Sequence, residues 1–141
     1  MKGLLLGFLI LVSFSALAQD EIIVKLQNAG ILCNQEGFIS NEIYAKLKKD
    51  PTNAKLKSEL MKASAALAKC NALAFDEVSN DCDDSVFKLL DKGFVCSREI
   101  TVSDKATALY RVAPSAANKE KVLSAQRDVS VCTSKALVLC N

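Results

Sequence analysis

The stretch KLQNAGILC at residues 25–33 returns as KLLDKGFVC at residues 88–96. A shift of 63 positions lays Lys25, Leu26, Gly30, Cys33, Glu36, Ser40, Ala45 and Pro51 onto Lys88, Leu89, Gly93, Cys96, Glu99, Ser103, Ala108 and Pro114. With one residue deleted Cys70 meets Cys132, and with a shorter tail Cys82 meets Cys140, so every cysteine has a counterpart. This predicts an all-α, disulfide-bridged domain of about six helices, built from two tandem three-helix repeats about a pseudo-twofold axis. Repeat 1 runs over about 21–82 and repeat 2 over about 84–141. Each copy alone is too small to cover its own apolar face.

Helical periodicity supports that reading. Ile22, Ile23, Leu26, Ala29 and Cys33 recur at steps of three and four, which places helix 1 at about Glu21 to Cys33. The period fades over Asn34 to Ile39, where Gly37 stands, and Ser40 is a candidate cap for a short second helix carrying Ile43, Tyr44 and Leu47. Asp50-Pro51 suits a helix start, with Asp as cap and proline at the first helical position. Leu56, Leu60, Ala63, Leu67, Cys70 and Ala74 then continue as helix 3 without a break.

In the second copy Val86, Leu89, Leu90, Gly93 and Cys96 predict helix 4, Ser103 a cap for helix 5, and Pro114 the approach to helix 6. The valine-rich pieces 129–131 and 136–139 offer strands as the weaker alternative. Glycine inside a helix costs about 1 kcal/mol against alanine, so Gly30 and Gly93 suggest close helix contact. The alanines of helix 3 suit either a tight core or a wall around an apolar guest.

Residues 1–18 read as a signal peptide, with Lys2, an apolar run from Leu4 to Val12 and the ending Ala16-Leu17-Ala18. The run is too short to span a bilayer, which takes about 20 apolar residues. The product, 19–141, is expected to be a single secreted, extracellular domain without a membrane span. Removing Lys2 leaves 17 basic against 16 acidic residues, and so weak a net charge argues against nucleic acid as a partner. The lysines at 46, 48, 49, 55 and 57 are interleaved with Asp50 and Glu59 and read as a solvated face.

Six cysteines behind a signal peptide predict three disulfides. Symmetry favours Cys33 with Cys70, Cys96 with Cys132, and Cys82 with Cys140 tying the copies together. Cys132 with Cys140 is disfavoured, because eight residues along one helix span about 12 Å, beyond disulfide reach.

The chain has no histidine, which removes the commonest base near neutral pH and the usual catalytic zinc ligands. Bridged cysteines remove the thiol nucleophiles as well. Glu36 and Glu99 are the one paired-carboxylate idea, and duplication of a surface residue accounts for them. Asp81, Asp83 and Asp84 fail the calcium-loop pattern, with Val86 where glycine is needed and Lys92 at the distal place; they suit the positive N-terminus of helix 4. No catalytic residue, metal site or cofactor is expected, and the protein is not expected to be an enzyme.

Two function classes remain. The first is a carrier enclosing a small apolar ligand in an extracellular fluid, with Ile43, Tyr44, Leu67, Phe87, Phe94 and Tyr110 as candidate wall residues. The second is a secreted effector that binds an extracellular protein, with a filled core and an exposed apolar patch. In outline the signal peptide, six cysteines and helices resemble the insect odorant-binding proteins. That family spaces its second and third cysteines four apart, whereas Cys70 and Cys82 are twelve apart, and it lacks the duplication, so no residue role is carried over.

Overall fold

The computed structural model describes residues 21–141, so the expected signal peptide lies outside the described residues. Six helices account for the described residues: α1 (21–28), α2 (Asn34–Lys49), α3 (Ala54–Asp76), α4 (Cys82–Asp91), α5 (Ser97–Val112) and α6 (Ala116–Val138). The all-α class is as expected, and the valine-rich pieces 129–131 and 136–139 are helical, the second running to the C-cap of α6 at Leu139. The described residues hold one isolated antiparallel bridge, Leu32 to Val95, and no longer strand.

Helices 1 and 4 end earlier than their apolar period suggests. Gly30 and Gly93 are not helix-contact residues: both take left-handed backbone, at φ 68° and 72°, just past the ends of α1 and α4. Glycine adopts that region without a Cβ penalty, so it terminates the helix. Ile31 and Phe94 then lead into the crossing. Cys33 N–H donates to Phe94 O at 2.7 Å and Cys96 N–H donates to Ile31 O at 2.9 Å, a reciprocal pair that joins the two loops back to back.

Helices α2 and α5 start earlier than expected. Cys33 and Cys96 are themselves left-handed, at φ 48° and 56°, and the helices begin at the next residue. Ser40 and Ser103 therefore lie inside helices and cap nothing, and Gly37 is a helix residue. Further on, Asp50 is the C-cap of α2, and Pro51-Thr52 form a turn. Asn53, not Asp50, caps α3, its side chain accepting from Leu56 N–H at 3.0 Å. Ser115 does the same for α6, accepting from Asn118 N–H at 3.1 Å after Pro114.

The acids at the start of α4 act as caps. Asp81 accepts from Asp84 N–H at 2.8 Å. Asp84 pairs with Lys88 at 2.8 Å, and the Lys88 ammonium, with the Ser79 hydroxyl second, holds its carboxyl below the usual 3.8. Ser85 is fully buried; its Oγ accepts from Ser79 N–H at 2.9 Å and lies 2.7 Å from Asp81 O, to which it can donate.

The three disulfides are Cys33–Cys70, Cys82–Cys140 and Cys96–Cys132, the symmetric pairing. They close loops of 37, 58 and 36 residues. In the chain-entropy model each restricts the unfolded chain by about 4 kcal/mol. The core gathers round them: Leu26 and Leu89, with Val86, Val95, Ala74 and Ala136, are fully buried. Burying each leucine contributes roughly 1.5–3 kcal/mol.

Beyond that base α2 packs on α3 and α5 on α6 as two-helix arms. Neither α2 nor α5 holds a buried residue. Ala65, Ala66, Ala68 and Ala72 of α3 are exposed and contribute nothing to the core; of these four only Ala66 lines a groove described below, an open one beside Cys70. No helix among the described residues is long and apolar enough to cross a membrane.

Candidate functional site

Two places bring polar groups or apolar surface together: the junction where the arms leave the base, and the outward face of α6. At the junction, the cysteines that precede α2 and α5 are bridged, so their side chains cap neither helix. Each helix is capped by the other. Gln35 N–H donates to Ser97 Oγ at 3.1 Å, and Arg98 N–H donates to Asn34 Oδ1 at 2.9 Å. Ser97 Oγ in turn donates to Asn34 Oδ1 at 3.0 Å. Arg98 also lies over the Phe38 ring, 4.0 Å from its centroid, adding a cation–π contact between α5 and α2.

The exchange is unequal. Asn34 has an amide nitrogen to spare, and it donates to Glu99 Oε2 at 2.7 Å. Ser97 has only one hydroxyl, already engaged with Asn34 and Gln35. Glu36 Oε2, the counterpart acceptor, is buried without a hydrogen-bond partner. Both glutamates are half-buried, which corrects their reading as surface residues. Glu36 sits beside Cys33 and Cys70, and Glu99 beside Cys96 and Cys132. In each group the two sulfurs are bonded to each other, leaving no thiolate to hold a metal. The carboxylates face different grooves and do not form a pair at one reaction centre.

The grooves found among the described residues open to solvent. One groove of about 730 Å³ runs along α6 and is lined by Ala29, Val131, Val138 and Leu139 with Arg127, Lys135 and two serines. Its α6 residues recur at steps of three and four, from Arg127 to Val138, covering about 16 Å of helix. They lie opposite Ala125, Cys132 and Ala136, which α6 buries against the base. Val131 is 51% exposed and Val138 68%.

The six candidate wall residues do not share a groove. Leu67 lines one with Asn34 and Asn71, Phe94 another with Glu36 and Cys70. Tyr44 and Phe87 are 52% and 58% exposed, Tyr44 with Lys48 near its ring. Ile43 and Tyr110 are half-buried along the arms. Periodicity could not tell that Ile43, Tyr44, Leu67 and Tyr110 belong to thin two-helix arms, that Phe87 stands on the exposed side of α4, or that Phe94 lies beyond the end of that helix.

The α6 face was missed because its residues fall off the core period. A signal was present: Val131 and Val138 stand in the register where α3 carries Lys69 and Asp76, while the cysteine and alanine of the buried side match. No known family, curated protein or solved structure matches this chain in the comparisons made.

Proposed function

We propose that this chain is a secreted, non-catalytic binding protein that engages an extracellular protein through an exposed helical face. The observation that carries this reading is the α6 groove: open, apolar, and too shallow on its outer side to enclose a guest, with Val138 left mostly in water. Ligand pockets that retain small molecules bury about 70–90% of the guest. Secretion is supported by the N-terminal sequence and by three disulfides with no free cysteine, the pattern of oxidising compartments. The absence of histidine and of thiols supports a non-catalytic role.

A carrier of a small apolar ligand is the second reading, favoured by the volume of that same groove, which falls within the roughly 300–1,000 Å³ of small-molecule sites. Native mass spectrometry of the protein from the fluid into which it is released, beside a denatured sample, separates the two. A protein adduct lost on denaturation supports the effector, a small organic mass the carrier. A mature chain beginning at Gln19 supports secretion, and retention of residues 1–18 refutes it.

We further infer that the chain is two tandem copies about a pseudo-twofold axis. The matching arm lengths, 16 and 23 residues in each half, support it. So do the reciprocal bonds of Cys33 and Cys96 and the paired left-handed glycines and cysteines.

A further inference from the structure

We propose that the outward face of α6 docks an acidic amphipathic helix of a partner protein; this rests on the protein-binding reading above and names its site. The face carries two exposed valines two turns apart and two basic residues. Val131, Val138 and Leu139 supply the apolar stripe, and Ser130 and Ser134 keep the surface low enough for a second helix to approach. The lining positions of α6, from Arg127 through Ser130, Val131, Ser134 and Lys135 to Val138, fall on one helix face at steps of three and four, the spacing that helix-in-groove recognition uses.

The charges select the partner. Arg127 and Lys135 flank the valines, no acidic residue lines the groove, and among the described residues neither cation takes part in an ion pair. A second copy of this chain would bring the same cations against themselves. A helix carrying glutamate or aspartate beside its apolar stripe meets them with opposite charge.

The fold does not call for this surface. The matching face of α3 carries Lys69 and Asp76 where α6 has Val131 and Val138, although both helices bury a cysteine and an alanine on the opposite side. Exposed valines at positions where charged residues serve the same architecture are explained by something that covers them.

The test uses two synthetic helices of about 14 residues, enough to span the groove. They share one leucine stripe and differ in flanking glutamates or lysines. Fluorescence anisotropy against the full mature protein should show the glutamate peptide binding at least about tenfold tighter than the lysine peptide. The double variant Arg127→Glu, Lys135→Glu should reverse that order. Val131→Asp and Val138→Asp, both at exposed positions, should each weaken the glutamate peptide about tenfold with an unchanged circular dichroism melt.

Equal binding of the two peptides, or no saturable binding of the glutamate peptide, overturns the proposal. So does dimerisation of the chain that Val138→Asp abolishes, or a fluorescent fatty acid that the glutamate peptide cannot displace from this face. If the peptides fail while native mass spectrometry still shows a protein adduct, the partner docks elsewhere and the binding reading stands.

Discussion

Glu36 and Glu99 are the same residue type at matching places, yet they should respond oppositely to truncation. Glu99→Ala removes the acceptor of a 2.7 Å bond from Asn34 Nδ2 and leaves that amide unpaired, a loss of about 1.5–3 kcal/mol for a bond to a charged group. Glu36→Ala removes a buried oxygen that has no partner, which relieves a desolvation cost of about 1–3 kcal/mol. The loss of side-chain packing is similar at both sites and cancels in the comparison. Glu99→Ala should therefore be the less stable variant by at least about 2 kcal/mol. Urea denaturation of the oxidised proteins, followed by far-ultraviolet circular dichroism, measures this difference directly, provided the slopes agree. Ser97→Asn supplies the missing amide and should stabilise the native chain by about 1 kcal/mol, but not the Glu36→Ala background. Equal destabilisation by the two alanine variants, or a larger loss at Glu36, refutes the account of unequal capping.

Glycine substitutions should split by backbone: Gly30→Ala and Gly93→Ala meet no neighbour within 4 Å but must hold positive φ, costing about 1–2 kcal/mol each, whereas Gly37→Ala in α2 should gain about 0.5–1 kcal/mol, both read from thermal melts. Ser85→Ala should cost about 1–3 kcal/mol in urea denaturation, since it strips the buried hydroxyl that receives Ser79 N–H. The Asp84–Lys88 pair should contribute a fixed increment at neutral pH. Asp84 is held below its ordinary 3.8, so its share is present above that value and lost as pH falls through the lowered one; Lys88 is held above 10.5, so its share is lost as pH rises past that. Carboxyl chemical shifts in an acid titration check the first half, and an Asp84 midpoint at or above the free value contradicts it.

The helices with clean boundaries were those whose sequences carry their own punctuation. Pro114 announces α6, whereas the unbroken period of Leu56 to Ala74 marks α3 but not its start, which falls at Ala54 behind the Asn53 cap. The matched spacing of the cysteines in the sequence pointed to the disulfide pairing. The crossing at 31–33 and 94–96 was hidden, because Ile31, Leu32 and Cys33 continue the apolar pattern of α1 while the chain has already left the helix. Three consecutive buried residues are not one helix face, and that was the available cue. The caps of α2 and α5 were invisible for a different reason. Each is supplied by a residue more than sixty positions away, so no local motif encodes it. The α6 face was legible only as a difference from α3 at matching positions, since two valines seven residues apart are too few to mark a face by themselves.

The placement of the bridges bears on how the molecule would withstand proteolysis. The turns at 50–53 and 113–115 join the paired helices of each arm and are where an enzyme would cut first. A cut at the first falls inside the Cys33–Cys70 loop, and one at the second inside both the Cys96–Cys132 and Cys82–Cys140 loops. Cut at both, the chain becomes three peptides, yet each remains covalently tied to the middle one. The nicked protein would keep its mass, apart from the added waters, until a reductant arrives, so its working lifetime is set by reduction rather than by the first cleavage.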